Sequence, residues 1–189
     1  MALLPIRVLG DPVLRQETTP VANITDELKQ LAANMFETMH AAKGVGLAAP
    51  QVGRSERMTV IEVEEARYVL VNPEIIASEG KLTWEEGCLS IPEVYADVTR
   101  AKLVTVRATG LDGKLFELEA TDLLGVCLQH EIDHLDGKLF IDRLSLFKKR
   151  SAMKEWDAEK EKYPGLVRHV SPSDRSDAEH DERHRDERL

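Results

Sequence analysis

Two cysteines in 189 residues, Cys88 and Cys127, are too few and too far apart to frame a disulfide-bonded fold, so a reducing cytoplasm is the expected compartment. No stretch approaches 18 consecutive apolar residues, and no membrane span is expected. The opening residues, Met-Ala-Leu-Leu-Pro-Ile-Arg, have neither a charged n-region nor a long apolar run, which argues against a signal peptide. Positive charge is also in deficit. With 25 Lys and Arg against 34 Asp and Glu the net charge is −9, which disfavours a general nucleic-acid binder, and no specific DNA binding is expected. No internal repeat is present. The chain is 42% hydrophobic and 31% charged, ordinary for a soluble globular protein, and its length suits one domain with a real core.

Residues 1–24 read as an irregular arm, with turn signals at Gly10-Asp11-Pro12 and Thr19-Pro20. Residues 25–42 read as a helix. Thr25 can cap it, Asp26 and Glu27 suit its first turn, and Leu28, Leu31, Ala32, Met35 and Met39 recur at helical spacing. Strands are expected at 58–63, 68–72, 74–77 and 82–85, and at 103–108 paired with 115–120 around an Asp112-Gly113 turn. Pro73 and Pro92 should end strands or sit on edges. A mostly apolar helix follows the Thr121-Asp122 cap and stops at Gly137. Another helix is expected over 144–162, with Phe147, Met153 and Trp156 able to dock on the body. The fold class is therefore α+β: antiparallel or mixed sheets around a central helix, flanked by an N-terminal and a C-terminal helix. Residues 1–165 form the expected folded domain and 166–189 a charged tail, whose residues 171–189 are mostly polar and charged with no aromatic residue. His180 and His184 in that tail are spaced i, i+4 but have no apolar face beside them.

The central helix carries Gln129-His130-Glu131-Ile132-Asp133-His134, which contains H-E-x-x-H. Residues four apart lie one turn apart on one face, so His130 and His134 can hold one metal ion, with Glu131 placed to reach a water on it. An open catalytic site needs a third protein ligand. Downstream carboxylates and His169 lie in no helix carrying a Glu at protease spacing. Cys127 shares the helix but is seven residues, about 10.5 Å, from His134 along the axis. Cys88, in Glu86-Gly87-Cys88-Leu89-Ser90, is the expected third ligand. The backbone N–H of Leu89 can donate to an oxyanion. Gly44-Val45-Gly46-Leu47-Ala48-Ala49-Pro50-Gln51 is not a dinucleotide loop; its glycines bare the backbone for pairing with an extended peptide, and Gln51 adds an uncharged amide donor.

Those three segments together, in that order, resemble the signature motifs of bacterial peptide deformylase, and the resemblance covers roughly residues 1–165. It implies a hydrolase that removes the formyl group from the N-terminal formyl-methionine of nascent chains and releases formate. Cys88, His130 and His134 would hold one divalent ion, with Fe(2+) the family's usual metal and zinc, nickel or cobalt able to take its place. Glu131 would act as base and then acid. Gln51, with Leu89, would hold the formyl oxygen. Gly46 would hydrogen-bond the substrate backbone, and Val45, Val126, Cys127 and the stem of Glu86 would line the methionine pocket. Asp133 is read as a partner orienting a ligand imidazole. Lys148-Lys149-Arg150 is read as a solvated helix end or a contact with the ribosome surface. Two other classes fit part of the pattern: an H-E-x-x-H zinc peptidase, which would cleave internal peptide bonds, and a non-catalytic metal-binding protein, which would close its site with a fourth protein ligand.

Overall fold

The computed structural model describes residues 2–171. Strand β1 is the short Ile6–Arg7 pair in the N-terminal arm. Helix α1 spans Asp26–Ala41, and the Thr25 side chain caps it by accepting from the Leu28 N–H. Its apolar stripe is buried, as the helical spacing predicts. There follow β2 (Gly46–Ala48), β3 (Met58–Val63), β4 (Ala66–Glu79), β5 (Leu82–Cys88), β6 (Ile91–Arg100), β7 (Leu103–Thr109) and β8 (Leu115–Thr121). Helix α2 covers Asp122–Leu135, α3 covers Leu146–Glu159, and β9 is Val167–Arg168.

Among the described residues, every pairing between these strands is antiparallel. The main sheet has the order β2-β3-β4-β7-β8, β5 and β6 form a separate ribbon, and β1 pairs with β9. Because β2 pairs only with β3, its outer edge faces no other described strand. Helix α2 lies across the sheet, against β2, β3 and β8. Its residues 125–135 are all buried. Val126, Cys127, Leu128 and Ile132 join Ile61, Leu70, Val104 and Val106 in one core cluster. A second cluster holds α1 on the sheet through Leu31, Met35 and Met39. A third joins the arm, the β5–β6 ribbon and α3 through Leu14, Cys88, Val98, Phe140 and Trp156. The site therefore sits on the inward face of the most buried helix, where sheet and ribbon meet.

Several local expectations need correction. Strand β4 runs straight through Pro73 instead of stopping there; a register shift between Val71 and Glu74 absorbs the proline, and Asn72 takes a left-handed φ of 51° beside it. Residues 91–100, not expected as a strand, form β6 despite Pro92. Of the residues expected to dock α3, Trp156 is buried and stacks on Tyr163, whereas Phe147 is 84% exposed. Val167 and Arg168, assigned to the tail, are paired with the arm. His180 and His184 lie outside the described residues.

Candidate metal centre

Helical geometry sets the first two ligands. His130 and His134 are one turn apart on α2, and their Nε2 atoms are 3.2 Å apart. The third arrives from the end of β5, where Cys88 places its Sγ 3.3 Å from His134 Nε2. One donor atom from each of the three residues lies within 4.8 Å of the others, and all three residues are buried. The spacing can be tested against coordination chemistry. Bonds of about 2.3 Å to sulfur and about 2.05 Å to nitrogen, at tetrahedral angles, separate S and N by about 3.6 Å and two N atoms by about 3.3 Å. The observed separations are close to those values, so the donor set fits a single ion. A thiolate with two imidazoles suits soft-tolerant divalent metals.

The surrounding charges fix the histidine that binds. Glu86 Oε2 accepts from His130 Nδ1 at 2.9 Å, which directs the Nε2 lone pair at the shared centre. Glu86 is held in turn by Arg100, at 2.5 Å from Nε and 2.8 Å from Nη2. Arg100 Nη1 also donates to Asp133 at 2.7 Å, and Asp133 takes both a 2.5 Å and a 2.6 Å bond from Arg143. Burial opposes the charge on Glu86, but Arg100 and His130 outweigh it and keep the carboxyl below the usual range. Burial likewise opposes charge on His130; the bonds to Cys88 and Glu86 prevail and lift it to about 10. His134 goes the other way, pushed well down by burial and by its neighbour His130. A cation among these atoms competes with the His130 proton for the same nitrogen. His134 Nδ1 is buried and meets no partner among the described residues.

The remaining motif residues converge on this centre. A Cβ on Gly46 would lie 2.5 Å from Glu131 Oε1 and 2.8 Å from Cys127 Sγ, so only glycine lets β2 pass this close to α2. Glu131 is buried, with Thr59 Oγ1 3.5 Å from its Oε2. Burial raises its carboxyl to about 7 against the pull of His130 and Thr59. Gln51, also buried, accepts at Oε1 from the Ala48 N–H at 2.8 Å and turns Nε2 toward Cys88 Sγ, 3.6 Å away. Leu89 begins the turn between β5 and β6, and its side chain would be 2.7 Å from a Cβ on Gly44, which seats the first motif on the second. Val45 packs on the cluster that contains Val126 and Cys127. Burial and the charge of Glu131 push the Cys127 thiol up, so it stays neutral, as an apolar wall requires.

All twelve residues singled out from the sequence for this site thus lie on α2, on β5 and the turn after it, or on the segment around β2. One contact differs from expectation. Asp133 touches no ligand imidazole but pairs with Arg100 and Arg143; Glu86 is the partner of His130, and its carboxylate is engaged there. Sequence reasoning missed Arg100, Ser90 and Thr59. A signal for Arg100 existed: it follows Val94 and Val98 in the period of two along β6, and so shares their buried face. A buried cation requires a carboxylate partner.

Comparison with known proteins places this arrangement. The family model described as "Polypeptide deformylase" matches residues 3–150. The peptide deformylase of Hydrogenovibrio crunogenus is 50% identical over 162 residues, covering 84% of this chain and 96% of that protein. Peptide deformylase 2 of Nitrosomonas europaea is 54% identical over 151 residues, covering 78% and 82%. The crystal structure of a peptide deformylase from Legionella pneumophila superposes with a TM-score of 0.82 at 47% identity, over 85% of this chain and 96% of that one.

Proposed function

The chain belongs to the polypeptide deformylase family, metal-dependent hydrolases that remove the N-formyl group from nascent peptides, and from that premise we propose how its residues divide the work. Cys88, His130 and His134 hold the ion. We assign Fe(2+) as the working metal because it is the ion usual in this family; zinc, nickel and cobalt are competitors, since one thiolate and two neutral imidazoles accept all four and leave a divalent ion with a net charge of +1. When bound, such an ion would polarise a carbonyl oxygen and lower the pKa of a water beside it toward neutrality.

The other roles belong to the chain. The formyl-peptide enters extended and pairs with the outer edge of β2, where Gly46 leaves the backbone bare. Its methionine side chain lies against Val45, Val126 and Cys127, beside the stem of Glu86. Gln51 Nε2 and the Leu89 N–H donate to the formyl oxygen as it gains charge. Glu131 takes a proton from water at its carboxylate, water oxygen bonds to the formyl carbon, and the same proton goes to the amine nitrogen as the C–N bond breaks. A carboxyl near 7 suits one group that first accepts and then donates. The site is crowded by Glu131, Cys127 and Leu89 around the motif glycines, which favours formyl, the smallest acyl group, over acetyl.

The observation that carries this reading is the meeting of three sequence-distant segments within hydrogen-bond distance of one another. Its test is formate release from a formyl-methionyl peptide, run beside casein. Glu131→Ala should keep the metal and lose 10²–10⁴-fold in kcat. Retained activity in that variant would remove Glu131 from the chemistry.

We place the enzyme in the cytoplasm, where its substrates emerge; no described helix is long and apolar enough to cross a membrane. Helix α3 begins with exposed Leu146 and Phe147 followed by Lys148, Lys149 and Arg150. We assign this end to the ribosome surface. Charge reversal of the three basic residues should abolish salt-sensitive cosedimentation with ribosomes and leave formate release from short peptides unchanged.

A further inference from the structure

The Ser90 hydroxyl has no place in the chemistry above, yet it is fully buried beside it. Its Oγ is 3.2 Å from Gln51 Nε2 and accepts one of the two amide hydrogens. Its own backbone N–H reaches Cys88 Sγ at 3.4 Å. The residue is itself pinned, because its carbonyl accepts from the Leu9 N–H of the N-terminal arm at 2.8 Å. Gln51 is thus gripped at both ends of its amide, by Ala48 N–H at the oxygen and by Ser90 Oγ at the nitrogen.

We infer that Ser90 is a positioning residue for the deformylation reaction: by holding one hydrogen of the Gln51 amide, it aims the other at the centre. This inference rests on the proposed role of Gln51 as a donor to the formyl oxygen. The physical reason is that a primary amide is nearly symmetric in shape but not in charge. Turned over, it would present a carbonyl oxygen to the thiolate and the developing oxyanion. The Ala48 N–H disfavours that flip, but it leaves rotation and wobble at the nitrogen unchecked. Ser90 supplies the second restraint. A donor contributes most to a transition state when it is already oriented before charge develops. The arm enters the same argument, since the Leu9–Ser90 bond fixes the turn that carries both the hydroxyl and the Leu89 N–H.

Ser90→Ala tests this cleanly. It removes one oxygen and leaves the backbone N–H on Cys88 in place, so the metal ligands are untouched. Removing an oxyanion donor outright lowers kcat about 10²–10³-fold. Releasing one that is still present should lower kcat roughly tenfold, with KM changing less than twofold. In the Gln51→Ala background the same substitution should change kcat less than twofold, because there is no amide left to orient. An independent readout uses the zinc-loaded, isotope-labelled protein: the Gln51 side-chain NH₂ resonances should exchange slowly with solvent in the parent and at least tenfold faster in Ser90→Ala. Zinc affinity should stay at the parent value, and the thermal midpoint should fall by only a few degrees, as expected for one lost buried hydrogen bond.

Wild-type kcat in Ser90→Ala, or losses that multiply in the double variant, would overturn the inference. So would lost zinc with unchanged amide exchange, which would mark a merely structural serine. The underlying reading fails separately. If Gln51→Ala leaves kcat intact, the amide is not a donor; if Gln51→Ala is crippled while Ser90→Ala is not, only the role of Ser90 falls.

Discussion

Replacing Arg100 with alanine should damage this protein far more than replacing Arg143, although both arginines bind the same aspartate. The Arg100 side chain is 0% exposed and bridges two carboxylates, Glu86 at 0% and Asp133 at 7%. Its removal leaves the Glu86 charge buried with only His130 Nδ1 to face it. Breaking a buried pair from one side costs about 3–5 kcal/mol, because the remaining charge keeps its desolvation penalty. At about 2–4 °C per kcal/mol for a chain of this size, the thermal midpoint should fall by about 6–20 °C. Arg143 is 42% exposed, and Asp133 keeps Arg100 when Arg143 is gone. That substitution should cost about 1 kcal/mol. The ligand should feel the difference too. With Glu86 no longer held, His130 loses its fixed orientation, and zinc affinity should fall about 10–100-fold in Arg100→Ala. Urea unfolding of the zinc-loaded proteins and chelator competition read the two effects. A third variant separates charge from shape: Glu86→Gln combined with Arg100→Met removes both charges and should be less destabilised than Arg100→Ala alone. Equal losses for the two arginines, or an Arg100→Ala protein within 1 kcal/mol of the parent, would refute the reasoning.

Other outcomes follow from single contacts. Gly46→Ala puts a methyl 2.5 Å from Glu131 Oε1, so kcat should drop at least tenfold while metal content, measured by elemental analysis, stays stoichiometric. Asp142 is held to about 2; burial opposes this, but Arg15, Lys149 and the Leu139 N–H prevail. A carboxyl lowered in the folded state stabilises above its unfolded pKa and loses that contribution as pH falls toward 2. The 3.8-to-2 shift sets a ceiling of about 2.4 kcal/mol, and the group's exposure reduces it to about 1 kcal/mol. Asp142→Asn should therefore be less stable than the parent by that amount at pH 7, with the gap closing below pH 3 in a urea series. Cys127→Ser introduces a hydroxyl at a fully buried wall and should raise KM for formyl-methionyl peptides more than it lowers kcat.

What could be read directly is what depends on short range. The i, i+4 histidines, the Thr25 cap on α1 and the Asp112-Gly113 turn are all fixed by residues a few positions apart, and all are present. The third ligand is legible by elimination, since Cys127 lies too far along its own helix from His134 and Cys88 is the remaining thiol. The β6 strand was missed because Pro92 argues against a strand by local rules, while pairing with β5 favours one. Phe147 was expected to dock because its aromatic character is visible in the sequence, whereas the direction it faces is not; α3 turns Trp156 inward and leaves Phe147 in solvent.

The ligand types, the helix that carries two of them and the family are legible in the order of residues alone. What holds the ligands in place is set by packing between distant segments. Glu86 rather than Asp133 meets His130, because Arg100 reaches both carboxylates from a strand whose place the local pattern does not specify. Hydrogen bonds between residues 14 to 44 positions apart leave no periodicity to detect. They exist because a buried charge must be matched by whatever folding brings beside it.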